Sequence, residues 1–128
     1  MTRLLACAFC AVFSLLAPLA PALADQVADG KSAFTRACRT CHSVREGENR
    51  LGPTMYGVVG RKAGTVPGFA FSSAMQSSGI VWDEATLDKF ITDPAAVVNG
   101  HRMQPFGGID SAEQRSQIIA YLKSISGK

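Results

Sequence analysis

Five consecutive residues, Cys38-Arg39-Thr40-Cys41-His42, hold the densest chemistry in the chain. Two cysteines three apart, with a histidine directly after the second, form the attachment signature of c-type haem. The spacing has a physical reason. On a helical turn, residues i and i+3 share a face, so both thiols can reach the vinyl groups along one porphyrin edge and form thioethers. The next residue then projects across the ring, where its imidazole can bind the iron. A C-x-x-C pair also occurs in redox and zinc sites. A zinc site needs a second pair of ligands, and once the N-terminal segment that carries Cys7 and Cys10 is removed, as expected below, only His101 remains; a redox pair belongs in a βαβ pattern, which the chain lacks. Cys7-Ala8-Phe9-Cys10 repeats the cysteine spacing, but Ala11 stands where a histidine is needed.

The second axial position decides what such an iron can do. Met55, Met75, Met103 and His101 are the candidates. Met103 falls in a glycine- and proline-containing stretch, Asn99 to Gly108, where backbone can bend to reach a metal. Met55 and Met75 fall in short apolar segments, where methionine commonly fills gaps in a core. Met103 is the favoured ligand, with His101 or an open, water-filled position as alternatives. Histidine–methionine ligation raises the reduction potential relative to two imidazoles and leaves no position for oxygen or peroxide. Such an iron moves electrons.

These residues need elements to position them. Arg3, the apolar run from Leu4 to about Leu16 and the small-x-small pattern Ala22-Leu23-Ala24 predict a secretory signal over residues 1–24, removed to leave one small domain, 25–128. The run is short for a membrane span. With Cys7 and Cys10 gone, haem consumes both remaining cysteines and no disulfide framework is left. The formal charge of +3 falls by one with Arg3, too little to argue for nucleic acid.

Val27, Gly30, Phe34, Ala37, Cys38 and Cys41 recur at helical steps and predict a first helix over 26–40. A short helix is expected at Thr54 to Val59, another at Ser72 to Ser78, and a firmer one from Asp83 to Thr92, with Asp83 as N-cap and Pro94 stopping or re-aiming the chain. The last helix is expected from Ser111, with a Ser111–Gln114 capping box and Gly127 at its end. No strand pattern stands out. The reading is all-α with long loops, which make sense wrapped around a flat cofactor that serves as the core.

Several ordered features make the chain resemble class I cytochrome c, in particular the short bacterial relatives of mitochondrial cytochrome c. They are Cys38-x-x-Cys41-His42, Gly52-Pro53, Gly60-Arg61-Lys62, Pro67-Gly68-Phe69, Gly79-Ile80-x-Trp82, Asp93-Pro94, Gly100-x-x-Met103 and Ala120-Tyr121-Leu122-Lys123. The resemblance implies helices and long loops around one covalent haem, with His42 and Met103 as axial ligands. It implies that the Pro53 carbonyl accepts the hydrogen bond of the other His42 ring nitrogen. It implies that Arg61 and Trp82 meet the haem propionates, and that Gly30 and Phe34 pack on Tyr121 where the first and last helices cross. This chain departs from mitochondrial relatives at Phe71 and Phe90, where they carry tyrosines, at Met75, where they carry asparagine, and at Ala95 and Ala96, where they carry docking lysines.

The function implied is a monomeric periplasmic one-electron carrier, not an enzyme. Its transient partners would be membrane redox complexes such as a cytochrome bc complex and an oxidase or photosynthetic reaction centre. The alternatives are a dedicated electron acceptor or subunit of one periplasmic dehydrogenase, and a peroxidase-like or gas-binding haem domain, which would require Met103 to leave the iron. A near-neutral chain without lysines on the Met103 side is expected to be weakly steered toward its partners. With no lysine from Asp93 to Gly108, His101 is the nearest nitrogen base able to take the iron if the methionine is displaced.

Overall fold

Alanines at 20, 22, 24 and 28 favour helix, and Pro21 sits in a first turn, where its missing N–H costs nothing. The result, in a computed structural model that describes residues 19–127, is a helix that starts earlier and ends sooner than expected: α1, Leu19–Ala37. The expected cleavage point after Ala24 lies within α1, and residues 1–18 of the expected signal lie outside the described residues. Four more helices follow: α2 (Ser73–Gln76), α3 (Glu84–Thr92), α4 (Pro94–Val97) and α5 (Ala112–Ser124). No strand occurs among the described residues; Lys62 and Val81 form one isolated antiparallel bridge.

The main packing is α1 against α5. Gly30 is buried at the crossing, where a Cβ would stand 2.9 Å from Cβ of Tyr121 and 2.7 Å from the Gln117 carbonyl carbon. Glycine in a helix interior costs about 1 kcal/mol against alanine; here that cost permits close backbone approach. Phe34 and Tyr121 meet beside it with ring centroids 5.6 Å apart, and Ala33, Ile118, Ile119 and Leu122 fill the seam.

The remaining helices are set by their caps. Ser72 accepts from the Met75 N–H at 3.1 Å and starts α2. Asp83 and Thr86 form a reciprocal box at the start of α3, with Thr86 N–H on the Asp83 carboxylate at 2.7 Å and Asp83 N–H on the Thr86 hydroxyl at 2.9 Å. Pro94 re-aims the chain: it is the first residue of α4, whose Ala96 N–H bonds to the Asp93 carboxylate at 3.2 Å. Ser111 caps α5 by accepting from Gln114 N–H at 3.2 Å, half of the expected box.

Two expected features are replaced. The helix over Thr54–Val59 is absent because its backbone groups are committed elsewhere. Met55 N–H bonds to Ser43 O at 2.8 Å, Tyr56 N–H to the Thr54 hydroxyl at 3.1 Å, and the Arg61 guanidinium takes Tyr56 O and Thr54 O. At the other end, α5 stops at Ser124 rather than at Gly127. The Ser124 and Ser126 hydroxyls donate to Tyr121 O (2.6 Å) and Leu122 O (2.9 Å), taking up carbonyls of the last turn. Gly127 instead leaves room for the Tyr56 ring, whose Cζ would lie 3.2 Å from a Cβ.

Candidate functional site

The end of α1 delivers the cysteine pair. Cys38 N–H bonds back to Phe34 O at 2.8 Å, and Cys41 and His42 N–H both bond to Cys38 O, at 3.1 and 3.0 Å. Residues 38–42 thus form one tight turn in continuation of the helix. The two thiols are half-buried and not joined to each other. As a free thiol, Cys38 is pushed up to about 11 by burial, with Cys41 beside it adding to the shift. Reactive redox cysteines depend on the opposite shift. Among the described residues no group of three or more His, Cys, Asp or Glu is placed to hold a metal ion.

His42 is buried, and its Nδ1–H donates to the Pro53 carbonyl at 2.8 Å. Burial lowers its pKa; the Pro53 bond opposes the shift and the nearby Arg61 charge reinforces it. The ring is neutral at neutral pH, with its lone pair on Nε2, the state required of a metal ligand. Gly52 closes on the same ring: a Cβ there would stand 2.7 Å from Nδ1 and 3.0 Å from Nε2. Its N–H bonds to Cys41 O at 2.8 Å, clamping the turn. Asn49 and Thr54 brace the segment, with Asn49 accepting from Thr54 N–H (3.0 Å) and donating to Pro67 O (2.9 Å).

Met103 arrives from the other side, between α4 and α5. It is half-buried, packs on the core and is in contact with His42. Its N–H bonds to Nδ1 of His101 at 2.7 Å, its carbonyl accepts from Phe106 N–H at 3.1 Å, and Arg102 between them takes a left-handed φ of 62°. Ile109 N–H on Ile91 O (2.9 Å) ties the end of this loop to α3. Met75 is buried and Met55 packs on the core from a partly buried position, as gap-fillers do.

Trp82 is buried with its ring on Phe90, centroids 4.9 Å apart. Arg61 donates to Tyr56 O at 2.9 Å and Thr54 O at 3.0 Å, which leaves further N–H groups of its five. These atoms test the fit of a c-type haem. No sealed side-chain nitrogen or oxygen among the described residues lacks a partner, yet His42 Nε2 and Trp82 Nε1 bond to none of them. Both therefore keep an opening: a lone pair on one, a donor on the other. With two thiols three residues apart and a thioether against the imidazole, the donor set suits an iron porphyrin with acidic side chains.

Cys38, Cys41, His42, Pro53 and Met103 are thus brought together, with Arg61 and Trp82 alongside. Two participants were not assigned from sequence. Gly52 was noted only as half of Gly52-Pro53, and its packing under the imidazole had no local signal. His101 was weighed as a ligand, whereas here it bonds to the backbone of Met103; the spacing His-x-Met, typical of side chains that accept from the N–H two residues on, was the available clue.

Residues 27–126 match the family described as Cytochrome c. Cytochrome c2 iso-2 of Magnetospirillum fulvum is 47% identical over 98 residues, covering 77% of this chain and 100% of the relative. Cytochrome c2 of Blastochloris viridis is 40% identical over 116 residues, 90% of each chain. Among solved structures, cytochrome cH from Methylobacterium extorquens superposes with a TM-score of 0.70 at 43% identity, covering 77% of this chain and 97% of that one.

Proposed function

The chain belongs to the cytochrome c family, and from that premise we propose that His42 Nε2 and the Met103 sulfur are the axial ligands of its haem c. The chain is a cytochrome c2-like electron carrier, not an enzyme, and its haem is attached through Cys38 and Cys41. When bound, the haem supplies an iron that takes up and releases one electron. The protein's part is to keep the surroundings of that iron constant. Burial holds the His42 imidazole neutral, and the Pro53 carbonyl fixes its tautomer and orientation. The Met103 thioether would favour the ferrous state and would keep oxygen or peroxide from the iron. The Trp82 indole N–H and the unspent Arg61 N–H groups would offset the charge of the haem's acidic side chains. The observation that carries this reading is the buried, Pro53-oriented His42 standing against Met103 with Nε2 unbonded.

Residues 1–24 are a signal cleaved after Ala24, and the mature chain works in the periplasm as a diffusible monomer. Support comes from Arg3 with its apolar run, from the small-x-small pattern before Asp25, and from bacterial cytochromes c2 among the relatives. Its partners are membrane redox complexes, such as a cytochrome bc complex and an oxidase or reaction centre, met transiently.

The ferric protein is expected to show the weak near-infrared charge-transfer band of thioether ligation. Met103→Ala removes that band, lets the ferrous iron bind carbon monoxide, and lowers the potential by a fraction of the roughly 0.8 V span that axial ligation commands. A band that survives in Met103→Ala assigns the sulfur to Met55 or Met75.

A further inference from the structure

We infer that His101 is a positioning residue for Met103: its imidazole fastens the backbone of the methionine so that the sulfur is presented to the iron. The inference rests on Met103 as axial ligand. It comes from three observations that the ligand assignment does not use. Nδ1 of His101 accepts the Met103 N–H at 2.7 Å, a bond from a side chain to the backbone two residues on. The residue spanned, Arg102, has φ 62°, a left-handed conformation that non-glycine residues adopt at a cost. The His101 ring stands edge-on to Phe90, centroids 5.9 Å apart at 84°, and Phe90 is itself buried against Trp82.

Together these form one device. The side-chain acceptor closes a turn over Arg102, as an asparagine does in an Asx-turn, and so stabilises the left-handed residue. Because Nδ1 accepts, the imidazole proton sits on Nε2. Phe90, anchored in α3, fixes the plane of the ring and hence the direction of the lone pair. The Met103 loop contains no helix and no strand, so this bond and the Phe106 N–H on Met103 O are the hydrogen bonds described at the ligand's own backbone. His101 is engaged in holding the methionine, and taking the iron itself through Nδ1 would first require releasing it.

The test separates the acceptor from the ring. His101→Asn keeps a side-chain acceptor and loses the ring; His101→Phe keeps an aromatic edge and loses the acceptor. Imidazole is titrated into the ferric holoprotein, and loss of the near-infrared thioether band reports displacement of Met103. A net hydrogen bond corresponds to about a 2- to 10-fold change in an equilibrium, so His101→Phe should take up imidazole about 2- to 10-fold more tightly, with His101→Asn within about twofold of wild type. Amide exchange of Met103 in the ferrous protein is read beside it and should be slow in wild type and His101→Asn but faster in His101→Phe. Equal affinities in His101→Phe and wild type overturn the inference, as does an Asn variant as loose as the Phe variant. A rapidly exchanging Met103 amide in wild type overturns it whatever the variants do. Absence of the band from wild type faults Met103 as ligand instead, and amide exchange then still decides the bond.

Discussion

His42 and Met103 meet at one point, but the segments that bring them there are built differently. Residues 38–53 are fixed from several directions: a turn continuous with α1 that carries the two haem-attaching cysteines, the Pro53 carbonyl on the imidazole, and Gly52 pressed beneath it. Residues 93–108 contain one four-residue helix and a loop whose ligand is half-buried and whose Arg102 is left-handed. The charge differs as well. Lys31, Arg39, Arg45 and Arg50 surround a hollow of about 310 Å³ beside His42, whereas Asp93 and Arg102 are the only Asp, Glu, Lys or Arg residues from 93 to 108. The histidine side is held at more points and is mildly basic, with three arginines over 38–53 against Glu46 and Glu48, the latter paired with Arg45 and Arg50; the methionine side is held at fewer points and is neutral over 93–108. Ligand exchange thus belongs to the methionine side, and electrostatic steering to the histidine side.

The largest effect should come from cutting the covalent anchors. Cys38→Ala with Cys41→Ala should abolish haem retention in denaturing gels after acid–acetone extraction, while Met103→Ala retains it in full. Equal retention in both variants would erase the asymmetry.

A second contrast concerns packing. Gly52→Ala drives a methyl group into the His42 ring and should cost about 1–3 kcal/mol in denaturant melts, the usual penalty of overpacking. Gly107→Ala, in the methionine segment, meets nothing within 4 Å and has no left-handed φ. It should shift stability by less than about 0.5 kcal/mol. Comparable losses would show the methionine loop to be as tightly packed as the histidine turn.

Steering is the third. The rate of reduction of hexacyanoferrate(III) should fall with added salt, and charge reversal at Arg39 or Arg50 should slow it roughly two- to fivefold at low salt. Arg102→Glu should do less. A larger effect at Arg102 would move the docking charge to the methionine side, and no salt dependence would restore the weak steering expected from composition.

The smallest concerns acid. The Ser43 hydroxyl, donating at 2.7 Å, and then Arg50 hold the Glu48 carboxyl below its usual 4.5. A depressed carboxylate contributes stability above its unfolded pKa and loses it as pH falls through the folded one. Wild type should therefore be slightly more stable than Glu48→Gln at neutral pH, with the two melting curves converging below about pH 4. A gap that persists in strong acid would mean that Glu48 acts by shape and not by charge.

Most of the chemistry was legible in the sequence because it is local. Cys38, Cys41 and His42 lie within five residues, so one turn suffices to define their geometry. Asp83 and Ser111 announce helix starts through side chains that bond within three residues, and Pro94 announces a change of direction through its fixed φ and missing N–H. The rest was decided by contacts between distant parts of the chain. Thr54–Val59 has a helical pattern, yet Ser43 and Arg61 claim its backbone groups. α1 ends at Ala37, short of the expected 40, because the chain goes on as a turn in which Cys41 and His42 N–H both bond to Cys38 O. Gly30, Gly52 and Gly127 look alike as residues, and only their neighbours Tyr121, His42 and Tyr56 say why each has no side chain. His101 shows the boundary most clearly. Its spacing from Met103 is in the sequence, but which partner its nitrogen serves depends on Phe90, eleven residues away on another element, fixing the plane of the ring.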